Sequence, residues 1–327
     1  MNSRTISRPF SFLSTLLLLC LVLVMSGPLQ AETLKVGYTA ISGSQAMLWV
    51  AREANIFREL GLEVDLVYLP GPRATQALIA GDISFAQVSS PPAVQAALAG
   101  ADVVWVASSV NKVLQQIYSP PSIRTVADLK GKIFGVTRFG GVSDFMARYM
   151  LQNHGLAPDR DVKMLQVGGF PETLAALTEG MIHAGIFSAP LTLKARNAGL
   201  KELVNLASEG VPFNFIGLIA TRSYLKNRRQ TAKQFLKGYI GGIRKAKRDR
   251  DFTLGVISRY TKVQEPDLLD ETYQKFIPYF EDQPYYTRSG MQFLLDQLAR
   301  KNPRASSARP DDFVDMSLVH ELDREVF

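Results

Sequence analysis

One stretch of the sequence occurs twice, and this repeat constrains the fold more than any other feature. The segment Ala77–Pro91 aligns with the segment Ala176–Pro190, and Gly81 of the first copy matches Gly180 of the second. Each copy has the pattern of a helix end, a short buried strand and the start of another helix. A repeat of this length predicts two lobes of similar α/β architecture. Two such lobes leave a cleft between them, where we expect the function.

Strands and helices alternate along most of the chain, and this alternation predicts the fold class. Short apolar runs are separated by helical patterns that begin at Ser, Pro or Gly. Such alternation is typical of an α/β protein in which each lobe is a doubly wound, mostly parallel sheet with helices on both faces. The predicted strands include residues 34–38, 64–69, 83–88, 103–107, 133–136, 162–167 and 213–221.

The predicted domain organisation follows from the repeat and from breaks in the alternation. The segment Ser119–Ser122 interrupts the rhythm, and we expect the first crossing between lobes near it. We expect the return crossing near Phe213–Phe215, after which the chain is mostly helical. Gly241–Gly242 interrupts the first of these helices and predicts a bend. The predicted boundaries are 1–31 for a signal peptide, 32–120 for the first part of lobe 1, 121–212 for lobe 2, and 213–327 for the return crossing and C-terminal helices packing mainly on lobe 1.

The N-terminus has the layout of a secretory signal. Arg4 and Arg8 precede an apolar run from Phe10 to Met25, and a short segment ending at Ala31 follows. The run is shorter than the roughly 20 residues of a membrane-spanning helix, which favours cleavage after Ala31 over an uncleaved anchor. We therefore expect export to the periplasm.

Composition and charge exclude several classes of protein. The single cysteine, Cys20, lies inside the apolar run, so the exported chain would have no disulfide, zinc-thiolate site or Cys nucleophile. The net charge of +7 falls to +5 without Arg4 and Arg8, an excess too small to indicate nucleic-acid binding. The basic segment 225–250 favours a solvated helix face, with a docking face for an acidic partner or a membrane surface as the alternative.

Loops that follow the predicted strands are the candidate binding site. In open parallel sheets, ligands bind beyond the carboxyl ends of the strands. Most of these loops also begin helices, whose free N–H groups suit an anion. The expected ligand-binding residues are Ser42, Gly43, Ser44, Gly71, Arg73, Ser89, Ser90, Arg138, Phe139, Gly140, Gly141, Ser143, Phe187 and Asn214.

Charged and aromatic members of this set have different expected roles. Arg73 and Arg138 each follow a strand, and either guanidinium can clamp a sulfonate or carboxylate; a solvated rim arginine is the alternative. Phe139 and Phe187 are expected to form an apolar wall, although core packing is the commoner role of such residues. Asn214 is expected to contact the ligand at the hinge. The two copies of the repeat thus predict that the cleft wall in the first lobe is polar and that the cleft wall in the second lobe is more apolar.

Signals of catalysis and of metal or cofactor binding are missing from the sequence. The histidines His154, His183 and His320 are scattered and do not have the spacing of metal ligands. The sequence has no Gly-x-Ser-x-Gly elbow, no phosphate-binding Gly-rich loop and no His-Glu-x-x-His motif. We therefore expect neither a metal nor a cofactor, and no enzyme activity.

Several segments together resemble the periplasmic solute-binding proteins of ABC importers. The likeness is strongest to the nitrate/sulfonate/taurine branch, which also includes binding proteins for pyrimidine precursors of thiamine. The branch often has Asp where this chain has Ser84 and His183, which leaves the ligand open. The segments that carry the resemblance are Lys35–Tyr38, Ala80–Ala86, Ala127–Lys132, Glu172–Gly180, Ala189–Pro190 and Pro310–Asp315.

The resemblance implies a type II periplasmic-binding-protein fold whose two lobes close on a solute and deliver it to a membrane permease. The expected function is capture of a small organic anion, of sulfonate or carboxylate type. The expected partners are that solute and an ABC permease with its cytoplasmic ATPase, with no nucleic acid, and the protein is expected to be a monomer. The alternatives are binding of a pyrimidine/thiamine precursor or nitrate, a solute-sensing subunit, and an enzyme on the same fold.

Overall fold

Two five-stranded sheets, one in each lobe, form the framework of residues 32–325, which are the residues that the computed structural model describes. The predicted signal peptide lies outside the described residues. No helix within 32–325 has the length and apolar character needed to cross a membrane. The strands are β1 (Glu32–Tyr38), β2 (Leu62–Tyr68), β3 (Phe85–Val88), β4 (Val104–Val110), β5 (Gln116–Ser119), β6 (Ile133–Val136), β7 (Lys163–Gln166), β8 (Ala184–Phe187), β9 (Lys201–Asn205) and β10 (Ile216–Ala220).

The two sheets have the same topology. Their strand orders are β2-β1-β3-β10-β4 and β7-β6-β8-β5-β9, so the two repeat strands β3 and β8 occupy the central position of each sheet. β1 pairs in parallel with β2 and β3, and β6 pairs in parallel with β7 and β8. β10 and β5 run antiparallel to their neighbours. The predicted two-lobed fold with mostly parallel sheets is therefore confirmed.

Each antiparallel strand is the first strand after the chain has crossed between the lobes. The first crossing lies at 111–115, between β4 and β5. It precedes the predicted position at Ser119–Ser122 because β5 already pairs with β8 and β9 of the second sheet. The return crossing lies at 206–215, between β9 and β10. The Phe215 N–H donates to the Val110 carbonyl at 2.8 Å, which joins the two crossing segments.

Helices cover both sheets, and a further group follows β10. Short 3₁₀ turns occur at Gly43–Gln45, Val126–Leu129, Ile277–Tyr279 and Pro310–Phe313. The α-helices are α1 (Ala46–Glu53), α2 (Ile56–Glu59), α3 (Arg73–Ala80), α4 (Ser90–Leu98), α5 (Val142–Asn153), α6 (Phe170–Thr178), α7 (Leu191–Asn197), α8 (Arg222–Asn227), α9 (Arg229–Arg248), α10 (Arg250–Thr261), α11 (Pro266–Phe276), α12 (Arg288–Ala299), α13 (Pro303–Ser306) and α14 (Ser317–Arg324).

The glycines of the repeat end the helices that precede the central strands. Gly81 follows α3 with φ of 82°, and Gly180 follows α6 with φ of 74°. Glycine reaches this left-handed conformation at little cost, which is why it commonly ends helices. The chain then turns into the sheet with Ile83 and Ile182 buried. Gly81 and Gly180, which match in the sequence repeat, therefore form the same helix-to-strand turn in the two lobes.

The long helix α9 packs closely on α1 of the first lobe. Its Phe235 ring stacks on Phe57 at a centroid distance of 5.1 Å and on Phe85 at 4.2 Å. Gly241–Gly242 does not interrupt α9, which is continuous from Arg229 to Arg248. A Cβ atom at Gly242 would lie 2.3 Å from the Met47 carbonyl oxygen, so this glycine permits the close helix contact.

Basic residues of segment 225–250 form ion pairs within the chain. Lys233 contacts Glu325 at 2.6 Å, and Lys247 contacts Asp282 at 2.9 Å. Arg229 pairs with Glu321 of α14. These pairs place C-terminal acids against part of the basic face of α9.

The Gly242→Ala substitution is expected to destabilise the protein by about 1–3 kcal/mol, because the added methyl group would force α9 away from α1. Chemical denaturation would measure this loss. Gly255→Ala is the matched control, since Gly255 lies in α10 and has nothing within 4 Å of a built Cβ. The control should be neutral or stabilising by up to about 1 kcal/mol, as expected for Gly to Ala in an exposed helix. Equal losses for both variants would contradict the packing argument.

Candidate functional site

A cavity of about 460 Å³ lies between the two lobes and is the candidate functional site. It is lined by loops at the carboxyl ends of strands from both sheets, as the topology of parallel sheets predicts. The two crossing segments supply Gln115, Phe215 and Ile216. The lining from the strand-end loops comprises Thr39–Ile41, Ser44, Gln45, Tyr68, Pro70, Gly71, Ser89 and Pro92 in the first lobe and Thr137, Arg138, Gly141, Val142, 167–172 and Ser188 in the second.

The lobes meet across this cavity in a closed arrangement. The Ser42 hydroxyl donates to the Ser188 hydroxyl at 3.1 Å, which joins a loop of the first lobe to the repeat of the second. Gly71 approaches the Arg138 side chain so closely that a built Cβ would lie 3.0 Å from the Arg138 Cβ and Cγ atoms. Gly71 also has φ of 60°, which favours glycine on conformational grounds.

The structure brings together part of the predicted site. The predicted residues that line the cavity are Ser44, Gly71, Ser89, Arg138 and Gly141. Two others lie close behind it. Ser42 forms the interlobe hydrogen bond to Ser188, and the Ser143 hydroxyl accepts a hydrogen bond from the Thr137 N–H at 3.1 Å. These two residues hold lining residues in place.

Other predicted residues lie away from the cavity for identifiable reasons. Arg73 is exposed at the start of α3, and Phe139 is 46% exposed on the outer surface. Gly43 packs against α11, where a built Cβ would lie 2.4 Å from Thr272. The Gly140 N–H donates to Asp144 at 3.0 Å at the start of α5. Ser90 is buried in the first turn of α4.

The two expected hinge and wall contacts, Asn214 and Phe187, serve the packing of the protein. Phe187 is fully buried, and its ring lies 5.9 Å from the ring of Tyr118. Successive side chains of a strand point to opposite faces, so Ser188 faces the cavity while Phe187 faces the core. Asn214 is buried and binds the backbone of Thr287 through both ends of its amide, at 2.8 and 3.0 Å.

Arg138 is a cation that lines the cavity and has no carboxylate partner among residues 32–325. Its Nε atom is buried and has no hydrogen-bond partner among residues 32–325. The ion pairs in that part of the chain do not include it. A guanidinium with free donors in a partly closed cavity is suited to a carboxylate or sulfonate.

An acid lies in the same cavity. Glu172 is an exposed residue in the first turn of α6. Burial and the Glu172 carboxylate raise the pKa of the Tyr68 phenol, while the Arg138 guanidinium acts on it in the opposite direction. Tyr68 belongs to the first lobe, so this hydroxyl faces charges of both signs from the second lobe.

A hydrogen-bond network fixes the polar floor of the cavity in the first lobe. The fully buried Gln87 of β3 donates through Nε2 to Gln45 Oε1 at 2.9 Å. Gln45 in turn donates through Nε2 to the Ser44 hydroxyl at 3.2 Å. Gln45 and Gln115 were absent from the predicted site. The signal for this network is Gln87 itself, because a polar residue in an otherwise apolar central strand needs buried partners.

The histidines take part in local packing outside the cavity. His154 contacts the Met150 carbonyl at 2.9 Å, and the His183 ring accepts from the Ile133 N–H at 3.4 Å. His320 lies against the ring of Tyr285. Among residues 32–325 there is no group of three His, Cys, Asp or Glu side chains that could hold a metal ion.

Comparisons with known proteins agree with this architecture. The Bacillus subtilis (strain 168) protein YtlA is 27% identical over 224 residues, which are 64% of this chain and 65% of that protein. This chain thus matches slightly less than two thirds of the length of that relative.

Two solved structures share the fold. The alkanesulfonate-binding protein SsuA from Xanthomonas axonopodis pv. citri, bound to MOPS, has a TM-score of 0.70 and 20% identity, covering 85% of this chain and 95% of that chain. The periplasmic nitrate-binding protein NrtA from Synechocystis PCC 6803 has a TM-score of 0.74 and 17% identity, covering 91% and 90%. At such identities the likeness establishes the periplasmic-binding-protein fold.

The family follows from the sequence itself. The model of the family described as "NMT1/THI5 like" matches residues 43–251, well over half of the 327-residue chain. The matched region includes both repeats and the loops that line the cavity, except Thr39–Ile41. The chain therefore belongs to the NMT1/THI5-like family.

Proposed function

We propose that the protein is the extracytoplasmic solute-binding subunit of an ABC importer and captures a small organic anion in the interlobe cavity. The observation that carries this proposal is Arg138, whose guanidinium lies in a cavity between two touching lobes and has no carboxylate partner in the described part of the chain. Binding proteins for alkanesulfonate and nitrate among the structural neighbours support the same class of function.

Helix starts add to the preference for an anion. Ser89, Gly141 and Gly169 precede the first residues of α4, α5 and α6 and line the cavity together. The unpaired N–H groups of a first helical turn carry a partial positive charge. Prolines in the first turns of α4 and α6 supply no N–H, and α5 and α6 each carry an acid in the first turn, so Arg138 remains the main group that favours a carboxylate or a sulfonate.

The size of the cavity favours an organic solute over nitrate. Its volume of about 460 Å³ falls within the range of roughly 300–1,000 Å³ that is typical of sites for organic ligands. Phe170, Val167 and Ile41 contribute apolar lining beside the polar groups. A solute with one charged end and one organic part would use both kinds of surface.

Glu172 favours a solute that also carries a positive or hydrogen-bond-donating group. Its carboxylate would repel a second anionic group and attract an ammonium or amino group. This observation keeps a pyrimidine precursor, which carries an amino group, as the second candidate solute class.

The proposed mechanism is capture by closure of the two lobes about the crossings at 111–115 and 206–215. The solute shifts the protein toward the closed form only if it binds that form more tightly than the open one. A membrane permease would then recognise the closed protein, and the N-terminal segment 1–31 would direct export to the periplasm. Sensing through a membrane receptor would use the same closure. We propose binding without catalysis, because the structural neighbours described above are binding proteins.

Arg138→Gln is expected to weaken binding of a sulfonate or carboxylate by about 10- to 100-fold, or roughly 1.5–3 kcal/mol, because it removes charged hydrogen bonds. Titration calorimetry with a panel of alkyl and aryl sulfonates and carboxylates would measure the change. Arg73→Gln is the matched control and should bind as the parent does, since Arg73 is exposed outside the cavity. The absence of binding of every panel member to the parent protein would contradict the proposed function.

Glu172→Gln is expected to remove a preference for ammonium-bearing solutes. The parent should bind 3-aminopropanesulfonate more tightly than butane-1-sulfonate, by up to about fivefold, since an exposed ion pair contributes roughly 0.2–1 kcal/mol. The pair 4-(aminomethyl)benzenesulfonate and 4-ethylbenzenesulfonate extends the test to larger solutes. Glu179→Gln, at the other end of α6, is the control. A preference that persists in Glu172→Gln would show that Glu172 serves only the start of the helix.

A further inference from the structure

Helix α11 connects the two lobes outside the cavity. It packs against α10 and the Gly43–Gln45 turn of the first lobe, and it also contacts α7 of the second lobe. The contact with α7 centres on Glu271. Its Oε1 atom accepts from the Thr192 hydroxyl at 3.0 Å, and its Oε2 atom accepts from Arg196 Nη2 at 2.7 Å. One carboxylate thus holds two residues of the other lobe.

These contacts are shielded from water on the Glu271 and Thr192 sides and are anchored in the second lobe. The Glu271 side chain is 12% exposed and Thr192 is fully buried, whereas the Arg196 side chain is 40% exposed. Arg196 also donates through Nη1 to the Tyr118 hydroxyl at 3.0 Å. Tyr118 is a fully buried residue of β5. Charge-assisted hydrogen bonds are stronger than neutral ones, and burial reduces their screening by salt.

The same helix supports one wall of the cavity. A Cβ at Gly43 would lie 2.4 Å from Thr272 Cγ2 and 2.7 Å from the Phe276 ring, so the 3₁₀ turn rests directly on α11. This turn carries Ser44 and Gln45, which line the cavity from the first lobe. On the other side, α7 begins shortly after Ser188, which lines the cavity from the second lobe.

We propose that Glu271 is a positioning residue that acts as an interlobe latch. By holding α7 against α11, it keeps the two cavity walls together even without a solute. The effect on solute release rests on the proposed function: a latch that stabilises only the closed form slows opening and so prolongs the bound state.

A second ion pair between the same elements provides the control. Lys194 of α7 lies 3.7 Å from Glu265, which immediately precedes α11. The Lys194 side chain is 40% exposed and the Glu265 side chain is 59% exposed, so water and salt screen this ion pair. If Glu271 acts by its buried contacts, Glu265→Gln leaves the lobes closed whereas Glu271→Gln does not.

The experiment measures interlobe distances in the full chain without solute. Spin labels are attached at Ile79→Cys in the first lobe and Met181→Cys in the second, both exposed positions, in a Cys20→Ser background. Glu271→Gln is expected to raise the ratio of open to closed molecules by about tenfold, the effect of losing a charged hydrogen bond.

Thr192→Val tests the latch from the opposite lobe and should also add longer distances. Circular dichroism checks that each variant is folded. Distance distributions for Glu271→Gln and Thr192→Val that match the parent and Glu265→Gln would overturn the latch and leave the proposed function intact. Conversely, a failure of all sulfonates and carboxylates to bind would overturn the proposed function without affecting distances measured in the absence of solute.

Discussion

The double crossing of the chain between the lobes is the constraint on which the rest of the structure depends. Each sheet contains one antiparallel strand, β10 or β5, which enters directly from the other lobe and pairs between two strands of its new sheet. The two crossing segments are thereby fixed side by side, joined by the hydrogen bond from Phe215 to Val110. Within residues 32–325 the chain passes between the two sheets at these two segments, and the strand ends of both sheets face one cavity.

Within this frame, the site divides into residues that face the cavity and residues that hold them. Arg138 and Glu172 present opposite charges from the second lobe, while Ser44 and Gln45 form a neutral polar surface in the first. Gln87 fixes the orientation of Gln45 from the core through the hydrogen bond from its buried Nε2 to Gln45 Oε1, while its own Oε1 has no partner among residues 32–325. The polar character of the first wall and the charged character of the second thus arise from different elements.

The fold could be predicted from the sequence because it depends on repeated local signals. The matched Gly81 and Gly180 mark the same left-handed turn, and the strands follow it in both lobes. The site could be predicted only in part. Arg73 and Arg138 each lie between a strand and a helix in the sequence. Arg73 is exposed at the start of α3, whereas Arg138 packs beside Gly71 and lines the cavity. Phe187 was expected to line the cleft, but strand alternation turns it to the core, and Ser188, one position later, lines the cavity. Glu271 depends on an interlobe contact between distant segments, which no local pattern reveals.

The strand order also makes the two lobes unequal while the chain is being synthesised. All five strands of the second sheet lie within 116–205, so this lobe is a continuous piece of chain. The first sheet is interrupted, because β10 must insert between β3 and β4 before β4 can join it. The second lobe can therefore complete its sheet first, while the first lobe waits for a strand that lies about two thirds of the way along the chain. We therefore expect the first lobe, which is synthesised first, to complete its sheet after the second lobe.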